Sequence, residues 1–243
     1  MKQFGLIGFP LTHSFSKGYF TEKFSNENLA DCRYDTFPLE KIKDFNELCK
    51  QHKNLIGLNV TIPYKQQIIP YLDELDETAA NIGAVNTIKF IKDKKIGYNT
   101  DAYGFEMSLN PLLKSHHTHA LILGTGGASK AVEYVLSKKG ISYQNVSRVR
   151  TGKAIHYEDL NEKIIHKSTL IINCTPVGMH PDIEEAPEIP YQYLTSKHLL
   201  YDLIYNPSET QFLMLGKEQG AQTKNGLEML YLQAERSWQI WNS

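Results

Sequence analysis

Lys65 and Asp101 each close a polar segment in the first part of the sequence: Asn59-Val60-Thr61-Ile62-Pro63-Tyr64-Lys65 and Tyr98-Asn99-Thr100-Asp101. An ammonium can give a proton to a carbonyl oxygen or stabilise charge on it, and a carboxylate can orient both the ammonium and the reacting hydroxyl. Two further polar clusters, His13-Ser14-Phe15-Ser16-Lys17 and Gly83-Ala84-Val85-Asn86-Thr87, fall in the same stretch. Together these hydroxyls, amides, one ammonium and one carboxylate form a lining suited to a polyhydroxylated acid. Each also has a plainer role available: Ser14 and Ser16 as helix N-caps, Asn86 as a turn residue, Asp101 as the cap of a following helix. Lys65, expected at a helix start behind Pro63, would sit where the helix dipole disfavours a cation, a misfit that points to use.

A second chemistry is written at Leu121-Ile122-Leu123-Gly124-Thr125-Gly126-Gly127-Ala128-Ser129-Lys130: an apolar strand, a glycine turn, then a helix. Glycines permit close backbone approach to a pyrophosphate, and the helix N-terminus supplies free N–H groups and partial positive charge. Ser129 takes the third fingerprint position, where glycine or alanine is usual. After the next strand, an NAD site would place an acid on the ribose. Here Ser147-Arg148-Val149-Arg150-Thr151-Gly152-Lys153 carries three cations and no acid before Glu158, which suits a 2′-phosphate and favours NADP.

The elements that must position these groups follow from hydrophobic periodicity. Strand-like runs at 4–7, 33–37, 55–60, 85–91, 120–123, 142–146, 170–174 and 199–203 alternate with helical patterns at 16–24, 39–52, 74–82, 103–113, 129–138 and 209–219, which argues α/β. Asp93-Lys94-Lys95 is expected to turn a hairpin. Gly226–Trp241 is expected to be a long amphipathic helix, with Leu227, Leu230, Tyr231, Ala234, Trp238 and Trp241 on one stripe and Met229, Gln233 and Ile240 beside it.

Composition bounds the rest. The 243 residues suffice for one or two domains, and Lys plus Arg (26) against Asp plus Glu (27) gives a net charge of −1, so there is no global electrostatic case for nucleic acid or an anionic membrane. No apolar run approaches the roughly 18 residues of a membrane span. Cys32, Cys49 and Cys174 are odd in number and lack C-x-x-C spacing, as expected of reduced thiols in a cytoplasmic protein. His116, His117 and His119 read as a polar connection and not as a metal site, with no carboxylate or thiol near them in sequence.

The ordered motifs Ser-x-Ser, N-V-T-x-P-x-K, G-A-V-N-T, N-T-D-x-x-G, G-T-G-G-A, N-C-T-P-x-G-M and a terminal Q-A resemble those of the shikimate dehydrogenases, from Gly5 to Trp241. The resemblance implies NADPH-dependent reduction of 3-dehydroshikimate to shikimate, in chorismate and aromatic amino-acid biosynthesis. It implies an N-terminal α/β substrate domain (1–101), a Rossmann-type NADP domain (102–224), a C-terminal helix (225–243) returning to the first domain, and an active site in the cleft. By matched position, Lys65 and Asp101 are catalytic. Ser14, Ser16, Thr61, Asn86, Asp101, Tyr205 and Gln233 contact substrate. Glu77, Gly124, Thr125, Gly126, Gly127, Ala128, Ser147, Arg148, Thr175, Leu203 and Gly226 contact the cofactor. No metal is implied, and the chain is expected as a monomer or homodimer. Lys17 replaces the usual proline after Ser-x-Ser, and Ser147-Arg148-Val149 replaces Asn-Arg-Thr. Two other readings stand beside this one: a quinate/shikimate dehydrogenase with relaxed NAD or NADP use, and a non-catalytic NADP(H)-binding regulator, which would need neither Lys65 nor Asp101.

Overall fold

The computed structural model describes residues 1–11, 15–92, 94–150 and 152–243. The expected contact of Ser14, and Asp93 of the expected hairpin turn, lie outside the described residues. The chain divides into two compact units, Met1–Thr100 with Ala234–Ser243, and Asp101–Gln233.

The first unit carries strands β1 (Lys2–Gly8), β2 (Cys32–Pro38), β3 (Leu55–Val60), β4 (Glu74–Leu75), β5 (Thr87–Ile91) and β6 (Lys94–Tyr98), with helices α1 (Phe15–Asn26), α2 (Phe45–Gln51) and α3 (Glu77–Ile82). The sheet order is β2-β1-β3-β5-β6-β4. β1 runs parallel to β2 and β3, while β5 runs antiparallel to β3 and β6. Alternate side chains of β1 leave opposite faces of the sheet. Ile7 joins a core with Phe45, Leu58, Ile68 and Ile88. Phe4 and Leu6 join the other, with Phe20 and Phe24 of α1 and Trp241 near the C-terminus. Gly57 is required there by space: a Cβ would lie 2.1 Å from the Trp241 indole nitrogen, which donates to the Ile88 carbonyl at 3.0 Å.

The second unit contains α4 (Asp101–Leu109), β7 (His119–Leu123), α5 (Gly127–Lys138), β8 (Ser142–Ser147), β9 (Ile155–His156), α6 (Glu162–Lys167), β10 (Leu170–Asn173), β11 (Leu199–Asp202), α7 (Gln211–Glu218) and β12 (Gln222–Lys224). The last helix, α8 (Leu227–Asn242), begins in this unit and ends in the first. All pairings in this sheet are parallel, in the order β12-β11-β10-β7-β8-β9. Numbered within the unit and read from β9, that is 3-2-1-4-5-6, the dinucleotide-binding order with its switch point between β7 and β10. Both faces of a parallel sheet are covered, hence the nearly continuous apolar runs of β7, β10 and β11.

Several expected elements differ. The helix expected from Glu74 begins at Glu77, because Glu74 and Leu75 pair with β6 and Asp76 caps the helix by accepting from the Ala79 N–H at 3.0 Å. Lys94 and Lys95 belong to β6 and do not turn the hairpin. The helix expected over 39–52 is a short 3-10 turn (Ile42–Asp44) followed by α2. On α8, Leu227 and Tyr231 are exposed, whereas Met229, Gln233, Ala234, Ser237, Ile240 and Trp241 are buried. The short β9, α6 and β12 carry too few residues to show a period.

Candidate active site

The first unit gathers its polar residues at strand ends. Thr61 follows β3, and its N–H donates to the Ile7 carbonyl at 2.9 Å. Its methyl packs onto Gly8 so closely that a Cβ there would come within 2.4 Å. Lys65 is half-buried in a series of turns and not at a helix start, so the dipole misfit expected from the sequence does not arise. Its place is set by neighbours: the buried Tyr64 hydroxyl donates to the Leu39 carbonyl, and the Lys65 carbonyl accepts from Val85 N–H at 2.7 Å. That bond ties Lys65 to the residue preceding Asn86.

Asn86 is buried, not a surface turn residue. Its Oδ1 accepts from the Thr100 N–H at 2.7 Å, and its Nδ2 donates to the Thr100 hydroxyl at 2.9 Å. Gly83 makes this possible: it ends α3 at φ +70, the left-handed region that glycine enters without strain, and turns the chain toward Asn86. Ser16 lies in the first turn of α1. Glu77, expected to contact the cofactor, is the exposed first residue of α3 and belongs to this unit.

In the second unit the glycine turn sits at the end of β7. Gly124 has φ +104 and faces the Thr175 methyl, 3.0 Å from where a Cβ would be. Gly126 is the N-cap of α5, has no side-chain cap, and has open space where a Cβ would project. Thr125 is exposed, Gly127 opens α5 and Ala128 follows, leaving the first-turn N–H groups of a 12-residue helix available to an anion. Ser129, at the unusual fingerprint position, is fully buried and donates to the Gly126 carbonyl at 2.7 Å, which satisfies its hydroxyl inside the turn.

Across the switch point, Asn173 Oδ1 accepts from the N–H and hydroxyl of Thr175 at 3.0 and 2.6 Å. Asn173 in turn donates to Asp202 at 3.1 Å. Asp202 is fully buried and also accepts from Thr210 (2.6 Å) and Ile204 N–H (3.0 Å). Burial nevertheless pushes its carboxyl up to about 6. Leu203 and Gly226 come together: a Cβ at 226 would lie 2.1 Å from the Leu203 carbonyl oxygen. Gly104 admits the Met229 carbonyl in the same way. Tyr205 is partly exposed, Gln233 is buried on α8 and donates to the Leu230 carbonyl at 3.0 Å, and Asp101 opens α4 as a buried first-turn carboxylate.

The basic loop after β8 is less basic than its sequence. Arg150 is held on both prongs by Asp159, at 2.8 and 2.9 Å. The chain brings back an acid that lies beyond the loop in sequence. Arg148 makes no ion pair among the described residues, and Ser147 turns its hydroxyl toward Val149 N–H at 3.2 Å. His116 and His117 both approach the Lys197 carbonyl, at 3.0 and 3.3 Å, while Thr118 contacts His119.

Tyr34, Ser237, Asp202 and Thr210 were not singled out from sequence, and Asn173 entered only as the first residue of the N-C-T-P-x-G-M motif. Ser237 had a signal: it shares a helical face with Ala234 and Trp241, where a hydroxyl is out of place unless paired.

A parallel sheet of this order with an open glycine turn at its switch point, joined in one chain to a unit lined with lysine, amide and hydroxyl groups, defines a nicotinamide-nucleotide-dependent oxidoreductase of α/β architecture. Residues 6–88 match the family model for the shikimate dehydrogenase substrate binding domain. A shikimate dehydrogenase (NADP(+)) of Methanosphaera stadtmanae is 39% identical over 256 residues, covering 98% of this chain and 90% of that protein. The crystal structure of the Aquifex aeolicus shikimate dehydrogenase superposes with a TM-score of 0.88 at 34% identity, covering 100% of this chain and 92% of that one. That of the Thermus thermophilus enzyme, in complex with NADP(H) and shikimate, gives 0.87 at 27% identity, covering 99% and 93%. The chain belongs to the shikimate dehydrogenase family.

Proposed function

We propose that this protein reduces 3-dehydroshikimate to shikimate with NADPH, reversibly. The observation that carries the reading is the Thr61-to-Lys65 turn tied through Val85 to Asn86, which in turn holds Thr100 directly ahead of Asp101. The residues fit NADP: the uncapped start of α5 behind Gly124 and Gly126 suits the pyrophosphate, and Arg148 suits a 2′-phosphate. When bound, the nicotinamide supplies the hydride.

The chain's own part is to bind the polyol acid and handle the proton. Reduction adds a hydride to the carbonyl carbon and a proton to its oxygen. The Lys65 ammonium stabilises the charge growing on that oxygen and donates the proton. Asp101 helps shuttle the proton. The charged ammonium is the form the reduction needs. Ser14, Ser16, Thr61, Asn86, Tyr205 and Gln233 hold the carboxylate and ring hydroxyls. Gly124–Ala128, Ser147, Arg148, Thr175, Leu203, Gly226 and Glu77 hold the dinucleotide. The three cysteines are free thiols, which supports a cytoplasmic setting, and no helix among the described residues is long and apolar enough to cross a membrane.

The test is absorbance at 340 nm with shikimate and NADP, then with quinate and NAD. Turnover with the first pair only supports the proposal. Comparable turnover with both favours the broader quinate/shikimate activity, a reading that the neutralisation of Arg150 by Asp159 keeps in play. Cofactor binding with no turnover overturns both.

A further inference from the structure

The loop that carries Arg148 is held from the strand beside it. β9 pairs with β8 in register, Val146 with Ile155 and Ser147 with His156. His156 is also the N-cap of the 3-10 turn Tyr157–Asp159. An N-cap is ordinarily Ser, Thr, Asp or Asn, whose short acceptor is enough for the task. His156 caps with Nδ1, which accepts from the Glu158 N–H at 3.3 Å, and has a second nitrogen to spare. That nitrogen, Nε2, lies 3.1 Å from the Arg148 main-chain carbonyl. A carbonyl only accepts, so the proton sits on Nε2 and the ring donates. In the charged ring Nδ1 donates instead to the Glu158 carboxylate, 3.2 Å away, and Nε2 keeps its proton. The bond to Arg148 therefore holds in both states of the imidazole.

The residues around Arg148 are anchored too. Asp159 accepts from the His156 N–H at 2.9 Å and from both prongs of Arg150 at 2.8 and 2.9 Å. Ser147 Oγ accepts from the Val149 N–H at 3.2 Å. The Arg148 side chain is exposed, so its main chain, and not packing, decides where the guanidinium can reach. We propose that His156 is a positioning residue for NADP selectivity: by holding the Arg148 carbonyl it fixes the backbone from which that guanidinium meets the 2′-phosphate. The inference rests on the part given to Arg148 in the proposed function. The two ring nitrogens do separable work, Nδ1 capping the turn and Nε2 holding the loop. His156→Asn keeps an acceptor near the Nδ1 position and has no atom that reaches the Nε2 position. His156→Gln brings an amide N–H near the Nε2 position and gives up the cap.

The experiment titrates NADP and NAD calorimetrically into wild type, His156→Asn, His156→Gln, Arg148→Ala and the double variant of His156→Asn with Arg148→Ala. Melting temperature controls for folding, and the KM for shikimate is measured alongside. Loss of one positioning hydrogen bond should raise the Kd for NADP about three- to tenfold in His156→Asn, with the Kd for NAD and the KM for shikimate unchanged. His156→Gln should bind NADP nearly as wild type does. In the double variant the His156 substitution should add nothing to the effect of Arg148→Ala, because the imidazole acts only through that residue. Unchanged NADP affinity in His156→Asn, equal loss for NADP and NAD, weaker NADP binding in His156→Gln than in His156→Asn, or independent, multiplying effects in the double variant would each overturn the proposal. Arg148→Ala binding NADP as tightly as wild type overturns the phosphate role of Arg148 and this inference with it. A wild type that binds NADP and does not turn over shikimate overturns the functional reading alone, and the titrations still decide the role of His156.

Discussion

Asn86 grips Thr100 twice, accepting from its main-chain N–H at 2.7 Å and donating to its hydroxyl at 2.9 Å. Both residues are buried, and Thr100 immediately precedes Asp101 in the chain, so a side chain expected to touch substrate also fixes the backbone leading to the proposed catalytic carboxylate. Asn86→Ala leaves a buried N–H without its acceptor, which costs about 1–3 kcal/mol. Urea unfolding should show that loss, and kcat should fall along with substrate affinity. A variant with wild-type stability and kcat but weaker substrate binding would restrict Asn86 to substrate contact.

Lys65→Ala should lower kcat by about 10²–10⁴-fold, the size of a general acid contribution. The KM for substrate should change far less, because Thr61 and Asn86 are placed by main-chain bonds that do not involve the lysine side chain. Near-normal turnover would remove Lys65 from the chemistry.

The two arginines after β8 should behave differently although they are two residues apart. Arg148→Ala should raise the KM for NADP on the order of tenfold to a hundredfold, the effect of losing one charge-assisted contact to phosphate. Arg150→Ala should leave it nearly unchanged, since both prongs of that guanidinium are occupied by Asp159. Equal effects of the two substitutions in steady-state kinetics would show that the Arg150–Asp159 pair opens to take part in binding.

Asp202 gives stability a pH dependence. Its folded value, about 6, lies above the ordinary 3.8 of the carboxyl group, so between these values the folded state holds more protons than the unfolded state. Its contribution therefore weakens as pH rises through that window and is flat above it. From pH 5 to 7.5 this group alone should cost about 1.4 kcal/mol, and Asp202→Asn should lack that slope. Urea denaturation of both proteins at the two pH values measures the difference. Parallel pH profiles would show that Asp202 does not titrate there. Because Asp202 donors include Asn173, which orients Thr175 beside Gly124, the Asn variant should also alter the NADP KM.

The α/β class, the glycine turn between β7 and α5, and the motifs around Lys65, Asn86 and Asp101 were legible in the sequence, because each depends on short-range periodicity or on residue types at fixed spacing. The family itself could be read from their order. What only the tertiary structure decided depends on contacts between distant segments. Asp159 neutralises Arg150 from beyond a loop that looks wholly basic in sequence. Lys65 lies in turns and not at a helix start, because Tyr64 and Val85 anchor it from other parts of the chain. The face that α8 buries was misjudged at Leu227 and Tyr231, since amphipathicity gives a stripe but its neighbours choose its centre. Ser237, 178 residues from Asn59, completes the hydrogen bonds of that amide. A hydrogen bond requires only proximity and a donor facing an acceptor, and neither is encoded by local periodicity. The residues that could act are thus visible one segment at a time, and the fold alone determines which of them hold one another in place.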